Sequence, residues 1–305
     1  MKRLVVIMLM LLGAGQLSAQ QSFLDNQKMF PKVGEAYREK EELLKKEFEK
    51  KGLTYPAKYI FVRSFKLDSE MEIWVKNSVA DTFRLFKSYR VCTLSGKMGP
   101  KRKEGDRQVP EGFYYINDFN PNSNYHLSLG INYPNFSDRI LSDPKNPGGD
   151  IYIHGNCITV GCIPLTDEFI DEVYILAVNA KNAGQDFIPV HVFPVKFGNA
   201  GSMSYLGTFA LTDNSAKQLW SELKTAYDYF EKLQLLDGYD VIEAVAAQPW
   251  VAGHKVGMVG LSYPGISQLF VAATRPPSLA AITPLSVIGS AHSTMLPGGM
   301  LNDGF

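Results

Sequence analysis

His154 and Cys162 stand eight residues apart in the stretch Ile153-His154-Gly155-Asn156-Cys157-Ile158-Thr159-Val160-Gly161-Cys162-Ile163-Pro164-Leu165. A strand there delivers the histidine, and a glycine-bearing turn delivers the cysteine just ahead of a helix. That placement suits a nucleophile. A thiol reacts as its thiolate, an imidazole close by takes the proton, and the positive end of a helix favours the anion. Gly161 lets the main chain come close enough for amide N–H groups to face a developing oxyanion. Two other readings fit the same residues. Cys157 and Cys162 are small enough to be buried hydrophobes, with His154 a satisfied core histidine. His154, Cys157 and Cys162 also make three ligands of a metal site, but no fourth lies nearby and the spacings are not the usual zinc pairings. No metal or other cofactor is expected. Cys157 and Cys92 either pair with each other or leave Cys157 packed beneath the turn, and packing is the preferred expectation.

A second nucleophile is offered by Gly260-Leu261-Ser262-Tyr263-Pro264-Gly265, where a buried strand over residues 255–260 runs into a strand–turn–helix elbow around Ser262. A serine hydrolase of that kind needs an Asp and a His well after the serine. Only 43 residues follow Ser262, with His292 and Asp303 in the wrong order and too close. Catalysis by Ser262 is therefore the weaker expectation.

The elements that must hold His154 and Cys162 are mostly strands. Short β-rich runs at Tyr59–Phe65, 71–75, 85–91 and 112–116, the alternating Tyr125, Leu127, Leu129 and Ile131, and 150–154 are separated by turn clusters, and Ile188–Phe193 follows. Helices are expected over 31–51, from Thr166 to Gly184, and over 214–232, each with an apolar stripe. The loop bearing Lys97, Lys101, Arg102, Lys103 and Arg107 is basic, although Glu104 and Asp106 dilute it.

The 305 residues carry 31 basic and 31 acidic side chains, so no polyanionic partner such as nucleic acid is implied. Only six charged side chains (Asp237, Asp240, Glu243, Lys255, Arg275, Asp303) lie beyond Leu235, which sets residues 236–305 apart as a different kind of chain. Lys2 and Arg3 ahead of the apolar run 4–12 and small residues ending at Ala19 read as a secretory signal peptide over 1–19. Nine apolar residues are too few to cross a bilayer, so no stable membrane span is expected after its removal.

His154-Gly155 joined to Thr159-Val160-Gly161-Cys162, preceded by Gly99-Pro100-Lys101 and Gly105-Asp106-Arg107-Gln108-Val109-Pro110-Glu111-Gly112-Phe113-Tyr114, resembles the L,D-transpeptidases with the YkuD-type catalytic domain, in their short-spacer YafK-like branch. Val109 stands where threonine is common. The resemblance spans about residues 22–235. It implies a mostly β catalytic domain with flanking helices over 20–235, secreted to the cell envelope or periplasm and acting on peptidoglycan stem peptides through a thioester. It implies Cys162 as nucleophile, His154 as general base, the Gly161 and Cys162 amides as oxyanion donors, and Thr159 as support for the turn or the substrate. An amine acceptor gives a cross-link, a lipoprotein lysine an anchor, and water the amidase outcome found in the YafK-like branch. A non-catalytic wall-binding domain is the remaining alternative, and the presence of both His154 and Cys162 argues against it. Many members place an arginine two residues after the cysteine. Pro164 stands there in this chain, so a contact with a substrate carboxylate does not carry over. The tail, 236–305, resembles an internal fragment of a cocaine-esterase or X-prolyl dipeptidyl-peptidase type α/β-hydrolase, as a joined reading frame would give.

Overall fold

The computed structural model describes residues 21–78, 80–210, 214–234, 252–261 and 279–285. The expected signal peptide, the Ser262 elbow, His292 and Asp303 lie outside them. Two N-terminal helices, α1 (Phe23–Lys28) and α2 (Pro31–Lys50), lead into three strands, β1 (Tyr59–Phe65), β2 (Glu70–Lys76) and β3 (Arg84–Arg90). Then follow β4 (Gly112–Asn120), β5 (Ser128–Ile131), α3 (Phe136–Leu141), β6 (Tyr152–His154), β7 (Ile163–Pro164), α4 (Asp167–Asn182), β8 (Ile188–Phe193), α5 (Ala200–Ala210) and α6 (Asn214–Leu233).

The eight strands form one mixed sheet in the order β3-β2-β1-β8-β4-β5-β6-β7. Alternation sorts their side chains onto two faces. Ile60, Val62, Ile73, Tyr114, Ile116, Leu129, Ile153, Ile163, Val190 and Val192 enter the main core, which α2 and α4 cover with Val33, Tyr37, Leu44, Ile170, Val173 and Ala177. The opposite face is covered over β1, β2 and β8 by α5 and α6. There Trp220, Leu223 and Tyr227 pack on Phe65 and Phe193, and Phe230 packs on Phe61 and Phe83. A buried Lys66–Glu111 ion pair (2.8 Å) fixes this layer, because Trp220 Nε1 donates to the same carboxylate at 2.7 Å.

The sheet curls until its two ends meet. Beyond β3, Cys92 N–H donates to the carbonyl of Pro164 in β7 at 2.9 Å, and Cys92 is disulfide-bonded to Cys157. This corrects the expectation that Cys157 packs beneath the turn: it is exposed and cross-linked across the closure. In the tail, β9 (Val256–Leu261) pairs in parallel with β10 (Leu279–Leu285). The strand expected there is present but not fully buried, since Val256 and Met258 are only half-buried and Gly257 is exposed. No helix among the described residues is long and apolar enough to cross a membrane.

Candidate active site

β6 and β7 run parallel, with Ile153 opposite Ile163 and His154 opposite Pro164. Ile153 and Ile163 point into the core. His154 and Cys162, one step out of phase with them, therefore emerge on the other face, over the half that α6 leaves open. One strand spacing across and two residues along put their Cα positions about 8 Å apart, within side-chain reach of each other.

His154 is buried, with the Tyr125 ring 4.8 Å from its own. Its Nδ1 lies 2.5 Å from the Gly155 carbonyl oxygen. A carbonyl only accepts, so Nδ1 carries the proton and Nε2 keeps its lone pair. Burial lowers the imidazole pKa, and the Gly155 hydrogen bond only partly opposes it. His154 is thus a neutral base. Gly155 in turn donates its N–H to Leu127 O, which ties the His-Gly pair to the bend that leads into β5.

Cys162 is half-buried, and its S–H is directed at the Asp150 carbonyl at 3.7 Å. Burial pushes the thiol pKa up. A main-chain hydrogen bond from Tyr152 and the Lys101 ammonium pull it down without reversing the shift, and Asp150 adds to the rise. The expected assistance from a helix N-terminus is not realised. β7 intervenes between Cys162 and α4, whose first turn carries Asp167 and Glu168.

Thr159 organises the turn: its Oγ1 accepts from the amides of Gly161 (3.2 Å) and Cys162 (2.8 Å) and donates to Cys162 O (2.9 Å). The two amides named as oxyanion donors are therefore engaged with a side chain rather than open. Gly161 sits at φ 139°, and a Cβ there would lie 3.1 Å from Gln108 O, so only glycine suits the position. The loop holding Gln108 is itself fixed by Asp106, whose carboxylate accepts from Lys101 Nζ (2.7 Å) and from the amides of Arg102, Lys103 and Gln108. Although burial works the other way, these bonds keep its pKa below the usual carboxylate range. The basic loop is thus partly an internal ion-pair network, not merely solvated surface.

The cross-link takes Cys157 out of any metal reading, because its sulfur is bonded to Cys92 and offers no thiolate. Among the described residues no group of three or more His, Cys, Asp and Glu side chains suits a metal ion. Sequence reasoning missed Tyr125 and Asp167, which accepts the Asn156 N–H at 2.8 Å and so braces the turn. Asp167 follows directly on the Thr166 N-cap, so the helix start was readable, but nothing in the apolar run between Asn156 and Thr166 tied its carboxylate to the turn, and nothing marked Tyr125.

Residues 58–192 match the model of the L,D-transpeptidase catalytic domain (YkuD), and residues 226–304 match that of the X-Pro dipeptidyl-peptidase (S15 family). The curated "Putative L,D-transpeptidase YafK" of Escherichia coli (strain K12) is 31% identical over 175 residues, covering 57% of this chain and 67% of that protein. The chain belongs to the L,D-transpeptidase family. Among solved structures it is similar to the helical cell shape determining protein Pgp2 from Campylobacter jejuni, at 19% identity and TM-score 0.35 over 56% of this chain and 70% of that one. It is also similar to Bd1075 of Bdellovibrio bacteriovorus, at 18% identity and TM-score 0.33 over 52% and 58%.

Proposed function

We propose that this chain is a cysteine acyltransferase of the cell envelope that acts on peptidoglycan stem peptides. The observation that carries the reading is the neutral His154, its Nδ1 proton committed to Gly155, sharing an open sheet face with a half-buried thiol. His154 Nε2 takes the Cys162 proton as Sγ attacks the amide carbonyl next to a D-centre. The C–N bond then breaks, and the amine leaves with that proton. An acceptor amine next attacks the thioester, forming C–N and breaking C–S, and the thiol regains its proton. Water in place of the amine gives hydrolysis, so the acceptor decides between transpeptidase and amidase. At the tetrahedral stage the oxyanion takes over the Gly161 and Cys162 amides from Thr159 Oγ1. A location outside the cytoplasm is supported by the Cys92–Cys157 disulfide together with the leader-like first 19 residues.

A carbapenem, which acylates this family's cysteine, tests the assignment by mass spectrometry of the adduct. One equivalent on Cys162 in the native chain, unchanged in Ser262→Ala and absent in Cys162→Ala, is the expected result. An adduct that survives Cys162→Ala overturns it.

A further inference from the structure

The open face that carries Cys162 continues across three strands into a second feature. Tyr152 precedes His154 on the same face and pairs with Gly130 of β5. A Cβ at Gly130 would lie 2.9 Å from Asp118 Cβ, 3.0 Å from Asn117 Oδ1 and 3.1 Å from the Tyr152 ring, and over the absent side chain the Tyr152 hydroxyl donates to Asp118 Oδ2 at 3.4 Å in β4. There the β4–β5 register slips between Ile116 and Asp118. The bulge re-aims Asn117, as bulges beside active sites do. Asn117 then lines a cleft of roughly 500 Å³ with Tyr115, Asn132, Phe136 and Arg139. The face is continuous from thiol to cleft.

The cleft has the parts of a carboxylate site. Arg139 is exposed, and among the described residues its hydrogen bond runs from Nε to the Pro134 carbonyl at 3.2 Å, with no ion pair to a carboxylate. The two terminal nitrogens of the guanidinium remain for a planar, two-point contact. The Asn117 side chain makes no hydrogen bond within the described residues and offers both donor and acceptor, while Tyr115 and Phe136 supply apolar walls. Pro164, two residues after Cys162, cannot make a charge contact with substrate. Resting on the proposed wall-peptide reading, we infer that Arg139 binds a substrate carboxylate remote from the reacting carbonyl and sets specificity through it. Three strand spacings, about 14 Å, separate the thiol's strand from Asn117. An extended peptide covers that with about four residues, or with fewer where a link runs through a γ-carboxyl.

The test uses full-length chain and two stem tetrapeptides that differ only in a free α-carboxylate or a carboxamide on the γ-linked D-glutamyl residue. The native chain is expected to show a KM at least about tenfold lower for the carboxylate peptide. Arg139→Gln brings that KM up to the carboxamide value, and Arg139→Lys recovers part of the difference. Calorimetric binding of both peptides to Cys162→Ala reads the same preference without turnover. Equal affinity for the two peptides, or an Arg139→Gln effect of the same size on both, overturns the inference while acylation of Cys162 stands. Absence of acylation and turnover with any peptide instead defeats the function proposed above.

Discussion

At the scale of single residues, the chemistry turns on two opposed effects of burial. It keeps His154 neutral below the ordinary histidine range, and it keeps Cys162 protonated above the ordinary thiol range. The resting pair is therefore thiol and imidazole, not thiolate and imidazolium. Alkylation by iodoacetamide, which consumes only thiolate, checks this. The rate at Cys162 is expected to be still rising with pH at about pH 9, and a plateau reached below about pH 7 would mean an ion pair instead. The proposed pair, His154 and Cys162, stood out in the sequence because a strand, a His-Gly and a Gly-Cys turn occur in an order that few folds reproduce by chance. The thiol's ionisation was not legible, since it depends on Asp150, Tyr152 and Lys101, which reach the sulfur only through strand pairing and loop folding.

At the scale of elements, the open half of the sheet exists because α6 stops short of it. What places α6 is a charge buried beneath it: Lys66 Nζ donates to Glu111 and to the carbonyls of Gly99 and Val109, and Trp220 completes the carboxylate's shell. Trp220→Phe removes a hydrogen bond to a charged acceptor and is expected to cost about 1.5–3 kcal/mol in urea unfolding. Lys66→Met leaves Glu111 buried with its counter-charge gone, at about 3–5 kcal/mol. Adding Glu111→Leu to Lys66→Met should restore much of that, and a double variant less stable than Lys66→Met alone would refute the coupling. Tyr59–Phe65 and Ile188–Phe193 were readable to the residue, since β-branched and aromatic side chains alternate between clear turn signals. β7 was not, because two residues ending in proline leave no periodicity. Nor was α3, whose six residues are too few for a stripe. Its Asn135 and Asp138 nevertheless form a capping box that could have announced it.

At the scale of the whole molecule, the L,D-transpeptidase match ends at residue 192, and the second family match starts inside α6. The S15-type match begins at residue 226, yet Tyr227 and Phe230 of α6 pack on Phe65, Phe193, Phe61 and Phe83 of the first sheet. This packing places α6, through Leu233, with the first sheet, and we propose that the boundary follows at Leu235, where the charge density drops. A chain ending at residue 235 is expected to keep its cooperative unfolding and Cys162 acylation. One ending at residue 225 loses two buried aromatic anchors, each worth about 3–5 kcal/mol, and should unfold at markedly lower denaturant. If the longer truncation product fails to fold, the tail belongs to the same cooperative unit. The sheet's closure escaped sequence reasoning for a geometric reason. Cys92 and Cys157 are 65 residues apart, and only the curl that carries the chain beyond β3 to β7 brings them within bonding distance.

That pairing has a practical corollary. Two of the three cysteine sulfurs consume each other, so the folded protein presents a single sulfhydryl, and it is the one proposed here as nucleophile. A stoichiometric maleimide reaction would then count competent molecules in any preparation. The same atom offers a one-point anchor for a fluorophore or spin label with no engineered cysteine.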